Sequence, residues 1–209
     1  APPLMPGFFW LKLRAAALVR RDNLDVFWAA RTLYPIGIEK HTSVVSTVYD
    51  LNSVLYPSTM SIANLLAYKI WYRNDLQKAD RVVAISHGTS VRLKDWMGRG
   101  ADTIVSPGVA DDFVPQARQK IDETMLKYGL SSPYLLFVGT LEPRKNLGNL
   151  LDALAEINSG RSAPLTLAII GQRGWKNRKL FQQLDRGIAH VKELGFVPNG
   201  DLPALYSGA

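Results

Sequence analysis

The sequence predicts an α/β protein made of two parallel-sheet halves. Three observations lead there: short apolar runs alternate with stretches of helical period, the alternation occurs twice, and a Pro- and Asp-rich break separates the two occurrences. Residues 8–21, F-F-W-L-K-L-R-A-A-A-L-V-R-R, read as a basic amphipathic helix that either docks its Leu and Val face on the first half or lies on a membrane. Residues 25–28 and 43–48 read as strands, with Tyr49, Asp50 and Leu51 at a strand's carboxyl end. Residues 61–78 have a helical pattern, with Ile62, Leu65, Leu66, Ile70 and Leu76 on related faces. Residues 81–86 form a buried strand, 89–97 a helix capped by Ser86, and 103–105 a short last strand. Strands alternating with helices need crossover connections, and crossovers make neighbouring strands parallel.

The break at residues 107–115 divides the chain into domains 1–110 and 111–209. In the second, 134–139 is an apolar strand and 147–157 a helix whose Leu147, Leu150, Leu151, Leu154 and Ile157 share a face. Residues 165–171 form a buried strand, 177–184 a polar helix and 189–194 a shorter strand, and Asp201 begins another helix.

Composition removes several function classes. With 47% hydrophobic and 21% charged residues the chain is not disordered. The lack of cysteine excludes a disulfide framework and a thiolate zinc site, so a reducing cytoplasm is the expected setting. The strongest apolar runs fall far short of the ~20 residues that a membrane-spanning helix requires. The chain starts at Ala1 and stops inside a helical pattern, so both ends are expected to be internal to a longer protein. A net charge of +7, concentrated in the first half, favours an anionic partner such as a nucleotide or phospholipid headgroup. No nucleic-acid-binding module is recognisable, and nucleic acid is not an expected partner.

The segment with most chemistry is G-T-L-E-P-R-K-N-L, residues 139–147, between a buried strand and a helix. Ligands of open α/β sheets bind outside the carboxyl ends of the strands. Gly139 lets a ligand approach the backbone, Asn146 suits an N-cap, and Arg144 and Lys145 stand just before the helix. Two cations beside free helical N–H groups suit a phosphate or pyrophosphate. The competing account is an exposed turn whose basic pair merely solubilises it. Neither a P-loop nor the G-x-G-x-x-G fingerprint occurs. A second loop, Gly171 to Gly174, with Arg173, Lys176, Arg178 and Lys179, reads as a turn with a solvated basic face. His41, His87 and His190 are too scattered to form a local metal motif, and there is no D-x-D pair. The eight-residue spacing of Glu193 and Asp201 reads as coincidence.

The runs V-G-T-L-E-P-R-K-N-L from Val138 and G-F-V-P-N-G-D-L-P-A-L-Y-S-G-A from Gly195 closely resemble family 4 (group 1) glycosyltransferases. T-V-Y-D-L from Thr47, A-D-R-V-V-A-I-S from Ala79 and V-S-P-G-V from Val105 fit the same family in the same order. The E-P-R-K-N version resembles the branch with mannosyl- and rhamnosyltransferases of bacterial surface polysaccharides. The resemblance implies a GT-B fold of two Rossmann-like domains, both incomplete in this chain, with the second holding a nucleotide-sugar. It places Arg144 and Lys145 at the donor diphosphate, Gly139 and Thr140 at the donor-site backbone, and Tyr49, Asp50 and Glu142 as cleft candidates; it assigns no catalytic residue, since Tyr49 stands where many members have His. It implies retaining hexosyl transfer to a cell-surface polysaccharide or lipid-linked glycan precursor, a nucleotide-sugar co-substrate, no cofactor or metal, and peripheral contact with an anionic membrane at its inner face. The family's glycine-rich loop is expected before Ala1 and its E-x7-E carboxylates after Ala209. The alternative is a non-catalytic nucleotide- or sugar-phosphate-binding module with a degenerate GT-B fold.

Overall fold

The computed structural model describes residues 7–60 and 62–209. The chain forms two compact units, one ending at Gly108 and the other beginning at Val109.

The first unit runs α1 (Gly7–Leu13), α2 (Ala15–Arg21), β1 (Val26–Ala29), β2 (Ser43–Val48), α3 (Asn52–Leu55), α4 (Ile62–Lys78), β3 (Arg81–Ala84), α5 (His87–Met97) and β4 (Thr103–Ile104). Its strands are all parallel in the order β1-β2-β3-β4. Val44, Val48 and Val82 project to one face and pack on Val19, Tyr34, Leu51, Tyr72, Leu76 and Leu93. Strand residues of the opposite parity, Val45, Thr47 and Val83, line a cavity instead.

Residues 8–21 are two short helices that meet at Arg14, not one. Their docked side is not the expected Leu and Val face: Val19 is buried with Ala15 and Ala16, while Leu13 and Leu18 are exposed. Lys12 is fully buried, and its Nζ donates to Asp75 Oδ1 (2.8 Å), Asp75 Oδ2 (2.7 Å) and the Tyr34 carbonyl (2.8 Å). Burial pushes the Lys12 ammonium pKa down and the Asp75 carboxyl pKa up, because both charged forms lose water. The same pair changes the expected face of α4. Its buried residues are Ala67, Tyr72, Asp75 and Leu76, whereas Ile62, Leu66 and Ile70 face outward. Tyr72 and Asp75 have hydrogen-bond partners inside, so burial there follows partners and not hydropathy. Ser61, where the sequence pattern begins, lies outside the described residues.

The second unit runs α6 (Arg118–Lys127), β5 (Tyr134–Val138), α7 (Leu147–Ser159), β6 (Thr166–Ile170), α8 (Arg178–Asp185), β7 (Val191–Gly195) and α9 (Leu202–Gly208). Its sheet is parallel in the order β5-β6-β7 and is covered on both faces. Tyr134, Leu136, Ala168 and Ile170 pack on one side with Ile121, Met125 and Leu205; Leu135, Phe137, Leu167 and Ile169 pack on the other with Leu147, Leu151, Leu154, Leu180 and Leu184. Helix α6 was not anticipated. Its Ile121, Thr124 and Met125 are only three buried positions among charged residues, yet they have the i, i+3, i+4 spacing of a helix face.

Candidate functional site

Strand β5 ends at Val138, but its register does not. Gly139 N donates to Ile170 O (2.9 Å), Leu141 N to Gln172 O (3.0 Å), and Gly174 N and Asn177 Nδ2 to Leu141 O (both 3.2 Å). Two strand-end loops, 139–142 and 171–174, are thereby joined beyond the carboxyl ends of β5 and β6. Glycine makes the join possible. A Cβ on Gly171 would stand 2.1 Å from the Gly139 carbonyl oxygen, and one on Gly174 2.9 Å from Thr140 Cγ2. Gly139 itself has φ +152 and open space above it, since an added Cβ would meet nothing nearer than the Phe137 ring at 4.0 Å.

The chain then makes a 3-10 turn over Pro143–Lys145 and enters α7. Leu141 before the turn and Leu147 after it are fully buried, so the turn is held at both ends while Arg144 and Lys145 are exposed. Asn146 occupies the N-cap position in the left-handed conformation (φ 52) and its side chain caps nothing, contrary to the role its residue type suggests. The first-turn amides of α7 therefore lack that partner, and they point toward the turn that carries the two cations. Arg144 Nη2 donates to Glu142 Oε1, a carboxylate almost wholly buried. The Lys145 backbone N–H donates to Glu142 O (3.0 Å), while its ammonium has no hydrogen bond or ion pair to any described residue. One oriented cation, one unengaged cation and an uncapped helix start make a site for an anion.

Arg173 is exposed, as a solvated basic face implies, but it is also clamped. Its Nε and Nη2 donate to the Glu193 carboxylate (3.1 and 2.8 Å), its Nη1 to Asp185 Oδ1 (2.7 Å), and its guanidinium lies 5.3 Å from the centre of the Phe181 ring. Glu193 first and Asp185 second hold its pKa above the ordinary arginine value. Local sequence could not reveal this, because the two carboxylates lie twelve and twenty residues away. Asp201 is occupied separately by Lys127 Nζ (2.7 Å) and Tyr128 OH (2.6 Å), so its spacing from Glu193 has no chemical meaning.

Gly139, Thr140, Glu142, Arg144 and Lys145 thus share one loop of the second unit, while Tyr49 and Asp50 belong to the first. Tyr49 is half exposed and lines a cavity of about 470 Å³ with Trp28, Thr47, Val83, Ile85 and Val105, where Trp28 Nε1 donates to Thr47 Oγ1 (2.9 Å). The Asp50 carboxylate accepts from Asn52 N (2.9 Å) and Asn52 Nδ2 (2.7 Å), which makes it a cap for α3. Ser86 Oγ accepts from Thr89 N (3.1 Å) and caps α5, as its residue type and position predict. Among the described residues no three His, Asp or Glu side chains converge as a metal site.

Residues 121–209 match the family model described as glycosyl transferases group 1. Over its whole length the chain is 28% identical to O-antigen chain mannosyltransferase B of Escherichia coli, and it spans 55% of that protein, about half its length. It is 26% identical over 151 residues to the serotype-specific mannosyltransferase WbdA of Escherichia coli, covering 67% of this chain and 18% of that one. Among solved structures, Anabaena Alr3699/HepE in complex with UDP and glucose superposes with a TM-score of 0.66 at 20% identity, covering 93% of this chain and 54% of HepE. WaaG, a glycosyltransferase involved in lipopolysaccharide biosynthesis, superposes with a TM-score of 0.56 at 16% identity, covering 88% of this chain and 48% of WaaG. These likenesses establish an α/β fold of the GT-B kind.

Proposed function

We propose that the protein is a glycosyltransferase that moves a hexose, mannose or rhamnose in preference to others, from a nucleotide-sugar to a cell-surface polysaccharide or lipid-linked glycan precursor. The observation that carries this reading is the anion site of the group 1 stretch: Arg144 and Lys145 beside the open backbone of Gly139, at the uncapped start of α7. The mannosyltransferase relatives support the sugar, and the UDP in HepE supports a nucleotide donor. In this reading the donor diphosphate lies along the turn. Arg144 and Lys145 offset the charge that develops on the departing nucleoside diphosphate, a contribution available only where that charge appears. The sequence has no D-x-D pair, and in this reading the two cations fill the role a metal would take; retention of configuration is what the family resemblance implies.

Calorimetric titration with GDP, UDP and dTDP tests the site. One nucleotide is expected to bind selectively, and Arg144→Ala/Lys145→Ala to weaken it by about 10-fold to 100-fold, the worth of one or two charge-assisted hydrogen bonds. A folded chain that binds none of the three, or whose affinity survives the double substitution, overturns the assignment. The anomeric configuration of the product, followed by NMR with and without a chelator, tests retention and metal independence.

A further inference from the structure

Glu142 lies between β5 and the two cations of the turn, and its side chain is almost wholly covered. Only 9% of it is exposed, against 36% for the Arg144 side chain. A carboxylate removed from water has to be paired, and its partner among the described residues is Arg144 Nη2. The backbone that carries Glu142 is fixed from several directions. Leu141 N donates to Gln172 O (3.0 Å), and Leu141 O accepts from Gly174 N and Asn177 Nδ2 (both 3.2 Å). Glu142 N donates to Thr140 O (2.9 Å), and Glu142 O accepts from Lys145 N (3.0 Å). Gly174 closes over it from the next loop, where an added Cβ would stand 3.5 Å from Glu142 Cβ. Pro143 follows, which suits the extended backbone of Glu142 (φ -116, ψ 158) and starts the 3-10 turn at once. The carboxylate therefore has a set position, whereas the arginine beside it has a long flexible stem.

We propose that Glu142 is a positioning residue for the donor diphosphate: it holds the Arg144 guanidinium so that the open edge of the fork meets the phosphates, and it does not touch the donor itself. The inference rests on the donor-site reading above and assigns a role within it. The family resemblance offers Glu142 as a cleft residue, and its burial moves it to the layer beneath. The Arg144 guanidinium gives one Nη2 bond to Glu142 and none to any other described residue, so the rest of its N–H donors are open to a ligand. A planar fork grips phosphate oxygens well only in the right orientation, while Lys145, a point charge, needs no such partner. An arginine that is immobilised only when the ligand arrives loses about 3-fold to 10-fold in affinity, and a carboxylate that holds it beforehand removes that loss. The same carboxylate lowers the net charge of the turn, which acts on an anion with the opposite sign, so orientation and charge have to be read separately.

Glu142→Gln and Glu142→Ala separate them. Both remove the charge, but glutamine keeps a side-chain oxygen that accepts from Arg144 Nη2, and alanine keeps none. In calorimetric titration of the chain with GDP, UDP and dTDP, the nucleotide that binds is expected to bind Glu142→Ala about 3-fold to 10-fold more weakly than Glu142→Gln. In an Arg144→Ala background the two substitutions are expected to give equal affinities, because the residue being positioned is gone. A turn that merely collapses without Glu142 would weaken binding in both backgrounds, since Lys145 and the Gly139 backbone would move too. The difference is expected to persist at about 0.5 M salt, which screens charge but leaves hydrogen-bond orientation in place. The proposal is overturned if the two variants bind alike with Arg144 present, or if their difference survives in the Arg144→Ala background. In both of those outcomes Arg144→Ala/Lys145→Ala still weakens binding, and the donor site stands without a role for Glu142. A native chain that binds none of the three nucleotides, or binds as well after that double substitution, overturns the donor reading and this inference with it.

Discussion

The two units solve the same problem, a small parallel sheet, with opposite uses of polar groups. In the first, one sheet face is packed and the other lines a cavity, and the core includes the Lys12–Asp75 pair together with Ser46 Oγ donating to Thr32 O (3.0 Å) and Thr32 Oγ1 to Thr47 O (2.7 Å). In the second, both faces are closed by aliphatic clusters, and the charges are on the surface or on the 142–145 turn. A buried polar network fixes a single arrangement but is intolerant of losing one member; an aliphatic core leaves its cations free for a ligand. The difference explains why the basic residues of the first half are partly unavailable, despite that half having the larger net charge.

The largest effect expected from this contrast is that of Lys12→Ala. It leaves the Asp75 carboxylate buried and unpaired and should cost about 3–5 kcal/mol. Urea unfolding followed by hydrogen exchange should show protection lost in β2 and β3 but kept in β5 and β6, and Lys12→Met/Asp75→Leu should restore most of it. A cost below about 1 kcal/mol would show that the pair is not the closed network inferred from its geometry. Next, Gly171→Ala drives a Cβ into the Gly139 carbonyl at φ +138 and should destabilise the second unit by about 1–3 kcal/mol, with loss of nucleotide binding in the same variant. Ser46→Ala should cost about 1 kcal/mol and act on the first unit alone, because its hydroxyl is fully buried and bonded.

The smallest effect is pH-dependent and shared. The Val82 amide, and then Arg99, hold the Asp102 pKa below the usual carboxylate value; Lys127 and then Tyr128 do the same for Asp201. A depressed native pKa gives stability that is present above the unfolded value and lost as pH falls through the native one. Through these two carboxylates both units should therefore weaken as pH falls below about 4, and Asp102→Asn should flatten that contribution in the first unit while leaving the second's.

Strands were the most legible elements. S-V-V-S-T-V and T-L-A-I-I are dominated by apolar and β-branched residues, and each lies as a parallel strand between two others. Helices were legible only where hydropathy decides burial. It does so in α7, whose leucines face the sheet, and it fails in α4, where Asp75 and Tyr72 go inward to meet Lys12 and the Asp50 carbonyl. Helix α6 escaped notice because three buried positions among seven polar or exposed ones make a weak period. The 139–146 loop was legible as a segment, since its residues are contiguous. The clamp on Arg173 in the neighbouring loop was not, since Arg173, Asp185 and Glu193 come from separate elements.

By itself, then, the sequence determined which residues form strands, where the chain divides between its halves, and that Arg144 and Lys145 would stand together at a strand's end. These are consequences of side-chain chemistry acting over a few neighbouring residues. Only the tertiary structure decided that Lys12 is an interior cation, that Asn146 holds a left-handed turn and caps nothing, that Gly171 must yield to the Gly139 carbonyl, and that the aliphatic line of α4 faces outward. Each of those depends on partners distant in sequence, and the free energy of a buried charge or a close backbone contact is set by the partner that arrives, not by the residue that waits for it.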